Sequence, residues 1–153
     1  MEVLKSSPIG WIRIFEENGC IVRLELNARS GEPEEPRMLL LCETCRQLDE
    51  YFAGKRRAFD LPLAPAGSRF RRAVWAELER IPYGSVVTYR DIAIAVGNPR
   101  AARAVGMANH CNPIPILIPC HRVVGSNGAL TGYAGGLEIK RKLLQLEAGN
   151  GVF

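Results

Sequence analysis

The segment Asn112-Pro113-Ile114-Pro115-Ile116-Leu117-Ile118-Pro119 restricts the fold more than any other part of the chain. Each proline fixes its own φ, lacks an N–H donor and pushes the preceding residue toward extended backbone, so no helix passes through prolines at 113, 115 and 119. The apolar residues between them require burial. The run is therefore a stiff, buried approach that delivers Cys120 onto a fixed and largely dry platform. A buried cysteine is ordinarily inert. His121 and Arg122 change that expectation, because an imidazole that takes the thiol proton and a nearby positive charge both favour the nucleophilic thiolate.

Adjacent residues do not face one another on a regular helix or strand, so contact between Cys120 and His121 needs either a turn at Cys120 or a bridging water. A third group must hold the imidazole tautomer. Asp91, Glu138 and Glu147 are the carboxylate candidates, and Glu147, at the end of a helix predicted over Leu137–Leu146, is favoured. By itself a Cys-His pair is more often structural than catalytic. Cys42-x-x-Cys45 has a spacing that suits zinc, but it falls inside a predicted helix, and only His110, Cys111 and His121 remain to complete a site. No metal is expected, and Cys45 reads as core. Cysteines number five, which in a chain of 153 residues points to free thiols in a reducing compartment.

That length bounds one compact domain or two small ones sharing an interface, and 47% hydrophobic with 24% charged residues excludes a disordered tail. No apolar run approaches the roughly 18 residues of a membrane span, and the first thirty residues show no basic-then-apolar leader, so a cytoplasmic address is expected. Two alternating runs, Gly10–Phe15 and Cys20–Leu26, flank Asn18-Gly19 and predict a hairpin. A polar loop over 29–36 follows, then a helix predicted over Arg37–Phe52, with Leu41, Cys45, Leu48 and Phe52 at helical spacing and Gly54 as its stop. Nothing in this third reads as chemistry. The segment 61–67, with two prolines and a glycine, suits neither helix nor strand and separates residues 1–63 from a second domain, 69–153, with 64–68 as the linker.

The two parts differ in charge: residues 1–63 hold 9 basic and 11 acidic groups, and residues 64–153 hold 11 basic and 5 acidic. A one-sided basic field draws a chain toward a polyanion, although a merely solvated basic surface gives the same count. Ser68 predicts a helix cap for a helix running to about Arg80, and Thr88 with Asp91 a capping box for a short helix to Val96, stopped by Gly97. Asn98-Pro99 is expected to open a second helix to about Asn109. Two short helices joined at a glycine turn form a helix-turn-helix pattern, which could equally be an ordinary helical hairpin. In the second helix Ala101, Ala104, Val105 and Ala108 share the inward face, while Arg100, Arg103, Met107 and His110 share the outward one. No acid occurs between Pro99 and His121, so nothing there repels phosphate, and DNA becomes the favoured ligand.

The stretch Gly125–Gly136 carries five glycines. It reads either as a surface loop or as a pocket wall where backbone approaches a flat ligand and Tyr133 offers a stacking face. A phosphate-binding P-loop is excluded, since no Gly-Lys-Ser/Thr follows.

Pro119-Cys120-His121-Arg122-Val123, with Asn112-Pro113 upstream, Tyr83-Gly84, Thr88-Tyr89, Arg103, and Tyr133 with Gly135-Gly136, together resemble the O6-alkylguanine-DNA alkyltransferases over about residues 69–147. The N-terminal part resembles that family only in size and in its hairpin-plus-helix plan. The resemblance implies an α+β fold, with a small ribonuclease-H-like N-terminal domain followed by a helical domain containing the helix-turn-helix. It implies that Cys120 accepts an alkyl group from guanine in double-stranded DNA, stoichiometrically and without cofactor, with His121 as base and Glu147 orienting it. Tyr89 would crowd a phosphate and donate toward the purine, Arg103 would fill the gap in the base stack, and Asn112 would be the hinge to the active-site loop. Arg100, Ala102 and Thr88 would join the DNA contacts, made in the minor groove by a monomer. Pro115, Tyr133, Lys140 and backbone at Val123 and Ala134 would form the base pocket. Ala134 stands where many relatives carry serine, and Met107 where a small residue is common; the Cys and His set that binds zinc in some relatives is missing.

Three rivals are distinguishable. A non-catalytic alkylated-base binder of the same family carries tryptophan in place of the cysteine. A cysteine hydrolase using Cys120, His121 and Glu147 would turn over and leaves Arg103 unexplained. A plain helix-turn-helix regulator would keep its function after Cys120→Ala.

Overall fold

The computed structural model describes residues 1–149. The fold is α+β, with a small strand-based N-terminal part and a helical C-terminal part. Three strands, β1 (Glu2–Ser7), β2 (Gly10–Glu17) and β3 (Cys20–Glu25), form an antiparallel meander in that spatial order. Asn18 and Gly19 both adopt positive φ, 52° and 80°, as the tight turn between β2 and β3 demands. β1 is absent from the expected hairpin. Its two core residues, Val3 and Leu4, are neighbours in sequence rather than alternate positions, so its short run lacks the period of two that marks a strand.

Helix α1 (Leu39–Phe52) packs across β1 and β2 and buries Leu41, Leu48, Tyr51 and Phe52; Cys45 is half-buried against the same core. It begins two residues later than expected, with Met38 as an N-cap that offers no side-chain acceptor. The linker is not a loose tether. Pro62 O accepts from Ile21 N at 2.8 Å and Ala64 N donates to Ile21 O at 2.9 Å, so Leu63 pairs beside β3 as a short edge. Proline is tolerated there because the pairing takes its carbonyl, while the N–H it needs comes from Ala64. Further on, the chain lies so close to the Trp75 ring that a Cβ on Gly67 would fall 2.5 Å from it. Only glycine fits at that position.

In the C-terminal part, α2 (Arg69–Leu78) is capped by Ser68, and α3 (Tyr89–Ala95) by the Thr88–Asp91 capping box. The next helix, α4 (Ala102–His110), starts three residues after the expected Asn98-Pro99 opening. Asn98 instead closes a turn, accepting from Ala101 N with its carbonyl and from Arg100 N with its side chain. Trp75 Nε1 donates to Ala108 O at 2.8 Å and ties α2 to α4. Strands β4 (Val87–Thr88) and β5 (Val123–Val124) pair in parallel, which brings the chain after Cys120 alongside the start of α3. Helix α5 (Leu137–Glu147) closes the fold. No helix among the described residues is long and apolar enough to cross a membrane. Residues 150–153 of the expected C-terminal domain lie outside the description.

Candidate active site

Asn112 organises the approach to Cys120. Its Oδ1 accepts from Ile114 N at 3.0 Å and its Nδ2 donates to Ile118 O at 2.9 Å, so one side chain staples both ends of the proline-rich loop. Between them Ile116, fully buried, is held at φ 74°, a left-handed conformation that costs a β-branched residue about 1–3 kcal/mol. The loop then enters a 3-10 turn, Cys120–Arg122. Asn109 of α4 donates to Cys120 O at 3.3 Å, so the helix behind the outward arginines also holds the cysteine backbone.

That turn resolves how neighbours act together. Cys120 is only 3% exposed, and the His121 ring is directed to Glu147, with Nε2 2.6 Å from Oε2. Glu147 also receives Tyr51 Oη at 2.6 Å, Arg122 Nε at 2.7 Å and Nη2 at 3.0 Å, and Gly84 N at 3.4 Å. Burial alone would push this carboxyl up. The hydrogen bonds from His121 and Arg122, with the charge beside them and the Tyr51 hydroxyl, hold it well below the usual carboxylate range. Burial lowers the His121 pKa against the opposing pull of Glu147, so the imidazole is neutral at physiological pH. With Nε2–H donated to the carboxylate, Nδ1 is the acceptor, and it has no hydrogen-bond partner among the described residues.

Cys120 corrects the sequence expectation of a thiolate promoted by Arg122. Burial pushes its thiol up to about 11, and the groups that oppose this are the Asn112 amide, the Lys140 cation and the Tyr133 hydroxyl. Arg122 is already spent on Glu147 and on Ile81 O, which it meets at 2.7 Å. Tyr133 is buried, its hydroxyl makes no hydrogen bond of ordinary geometry among the described residues, and the group it faces is the sulfur. Lys140, fully buried, donates to Val123 O at 2.6 Å and Thr131 O at 2.9 Å, clamping the glycine-rich segment to β5. Val123 therefore has its carbonyl occupied, and its N–H bonds Cys120 O, so its backbone closes the turn instead of lining an open pocket.

The remaining candidate residues divide between two clefts. Thr88, Tyr89, Ala102 and Arg103, with Arg90, Gly106, Ser126 and Thr131, line one of about 680 Å³. There Tyr89 Oη is 2.8 Å from Thr131 Oγ1. Arg100 is exposed outside the lining of that cleft. Asn112, Pro115 and Ala134 line the second, of about 230 Å³, together with Arg23, Leu24, Glu25 and Leu26 of the N-terminal part. On α4 the outward set Arg103, Met107 and His110 is exposed as expected, but Ala104 is exposed too, and Asn109 takes the inward place assigned to it. The later start of the helix leaves its first turn less covered.

Sequence reasoning missed Tyr51 and Asn109, and it quoted Tyr83-Gly84 for the resemblance without giving either residue a role. Tyr51 falls inside the helix predicted over Arg37–Phe52 but outside the four positions assigned to its core face; the one available signal is a hydroxyl at a position that is fully buried and must find a partner.

Two short helices with exposed Arg103 on the outer face of the second thus stand in front of the buried Cys120 thiol and the His121–Glu147 couple. Residues 2–65 match the family model described as 6-O-methylguanine DNA methyltransferase, ribonuclease-like domain, and residues 69–149 match the DNA binding domain of the same protein. The constitutive methylated-DNA–protein-cysteine methyltransferase of Bacillus subtilis is 49% identical over 150 residues, covering 92% of this chain and 91% of that one. The Methanosarcina barkeri protein of the same name is 59% identical over 108 residues, 71% of this chain and 68% of its own. The crystal structure of Mycobacterium tuberculosis OGT in complex with DNA superposes with a TM-score of 0.88 at 40% identity, covering 98% of this chain and 94% of that one. The chain belongs to the methylated-DNA–protein-cysteine methyltransferase family.

Proposed function

We propose that this protein reverses alkylation damage in DNA directly, moving the alkyl group from O6 of guanine to the Cys120 sulfur once per molecule and without a cofactor. The duplex lies with its minor groove along the exposed face of α4. That groove presents a degenerate base pattern, which suits a protein that must work at any sequence. Arg103 takes the place of the guanine that swings out, offsetting part of an unstacking cost of a few kcal/mol. Thr88, Tyr89, Arg100 and Ala102 contact the backbone beside it. Pro115, Tyr133 and Ala134 flank the extruded base, with Asn112, Val123 and Lys140 supporting them from behind. Residues 69 onward carry this work, and residues 1–63 are joined to them through the linker 64–68.

The Cys120 proton passes to His121 Nδ1, directly or through a water, and Glu147 stabilises the imidazolium. The sulfur attacks the alkyl carbon in line; the S–C bond forms as the C–O6 bond breaks, and the electron pair goes to the guanine ring. Tyr89 donates toward the purine, and the base leaves neutral after taking up one proton. The product is a thioether for which no hydrolytic route exists here, so the thiol is not regenerated. The observation that supports this reading most directly is the 2.6 Å His121–Glu147 contact beside a cysteine that is 3% exposed. We place the protein in the cytoplasm, acting as a monomer.

Mass spectrometry after incubation with an O6-methylguanine duplex tests the reading. The expected result is a gain of one methyl group on wild type and none on Cys120→Ser. Repeated rounds of repair by the same molecules, or demethylated DNA with unmodified protein, would reject it.

A further inference from the structure

We infer that Tyr51, from the N-terminal part of the chain, is a positioning residue for alkyl transfer, fixing the Glu147 oxygen against which His121 is oriented. The inference rests on the proposed role of the His121–Glu147 couple and deepens it. Tyr51 lies 96 residues from Glu147 in sequence, and its hydroxyl reaches Oε2 at 2.6 Å, the same oxygen that His121 Nε2 contacts at 2.6 Å.

The ring cannot drift. It is fully buried and packed edge-on to Phe52 at 5.4 Å between centroids, tilted on Phe59 at 5.3 Å, and edge-on to Tyr83 at 6.2 Å. Burial, and then the charge of Glu147, holds the phenol well above its ordinary range, so it stays protonated and donates throughout the working range of pH. A phenylalanine would complete the same aromatic cluster without bringing a hydroxyl into the core, where an unsatisfied one is costly. The hydroxyl therefore has one structural purpose, its bond to Glu147.

Counter-charge is not what that bond adds, because Arg122 supplies it through both carboxylate oxygens. A neutral donor on Oε2 adds direction: it limits rotation of the carboxylate plane, and with it the angle at which the imidazole presents Nδ1. The N-terminal part thus reaches into the chemistry.

The test is a double-mutant cycle, with single-turnover transfer from a saturating O6-methylguanine duplex as its readout. Tyr51→Phe is expected to slow transfer about five-fold, the equivalent of one hydrogen bond, with DNA affinity unchanged. Glu147→Gln is expected to be slower still, and the double variant no slower than Glu147→Gln alone. Because Glu147→Gln also strips Arg122 of its counter-charge, a second cycle uses Glu147→Asp, which keeps the charge and withdraws it from the hydroxyl; again Tyr51→Phe should add nothing. The acidic limb of the Tyr51→Phe rate profile should move to higher pH, since a carboxylate with one donor fewer makes its imidazole more basic, whereas a packing defect slows transfer equally at every pH. A wild-type rate for Tyr51→Phe, multiplying effects in both cycles, or an unmoved profile would overturn the inference. A wild-type rate for Glu147→Gln would instead overturn the role of the carboxylate itself.

Discussion

Replacing Glu147 by glutamine should unfold a large part of this protein's stability margin. The carboxylate is 1% exposed in its side chain and accepts five hydrogen bonds from four residues. An amide offers one oxygen and one NH2, so in either orientation at least two of those donors confront another donor. Tyr51 can rotate its hydroxyl and His121 can change tautomer, but Arg122 has neither escape and is left as a buried cation, 7% exposed, without its counter-charge. Removing one member of a buried ion pair costs about 3–5 kcal/mol. For a domain of this size that is a fall of about 6–20 °C in Tm. Thermal unfolding followed by circular dichroism, with urea titration to convert to free energy, measures it. A loss below about 1 kcal/mol, the level of a surface pair, would show that the Arg122–Glu147 pair is not the buried anchor described here.

Acid should act on the same cluster. The folded pKa values of both Glu147 and His121 are depressed, so the unfolded chain takes up their protons first, near about 6.5 for histidine and about 4.3 for glutamate. Stability should be complete above the histidine value and fall as pH drops below it, with a second loss below the glutamate value; urea midpoints from pH 8 to 3 check the sign. Cys120 runs the other way: with its thiol raised to about 11, stability should decline as pH climbs from about 8.5 toward that value. Reaction of Cys120 with iodoacetamide should keep rising roughly tenfold per pH unit beyond about 9, and a plateau below that would contradict the elevated thiol. Lys140→Met should cost about 1.5–3 kcal/mol through lost bonds to Val123 O and Thr131 O and should raise the Cys120 thiol further, both readable by denaturation and thiol titration. Arg103→Ala should slow transfer from duplex DNA by about tenfold or more while leaving transfer from a free alkylated base unchanged, because only the duplex requires the stack to be filled.

Local rules carried much of the fold. The Asn18-Gly19 turn, the Ser68 cap, the Thr88–Asp91 box and the helix predicted over Leu137–Leu146 each depend on residues within a few positions of one another, and the structure has all four. What failed was non-local. β1 exists because β2 pairs with it, and Leu63 lies extended because Ile21 offers a carbonyl and an N–H across the gap. At the site the Cys-His-Arg order was readable, as was Glu147. The partition of roles was not: whether Arg122 serves the sulfur or the carboxylate depends on where α5 ends in space, and that decides in favour of the carboxylate. Tyr51 was the least accessible, since a side chain that packs like core and bonds 96 residues away leaves no local pattern.

Glu147 has a consequence for the timing of synthesis. The nucleophile, the imidazole and the arginine emerge together from the ribosome, and the phenol long before them, yet the acid that draws three of these four into register is made 25 residues after Arg122. Until α5 is translated and folded back, the growing polypeptide holds an unpaired guanidinium and an unoriented ring at the centre of the future site. Competence for chemistry is thus conferred only once α5 has been made, and a nascent chain stalled before that helix would hold its cysteine without the carboxylate that orients the imidazole.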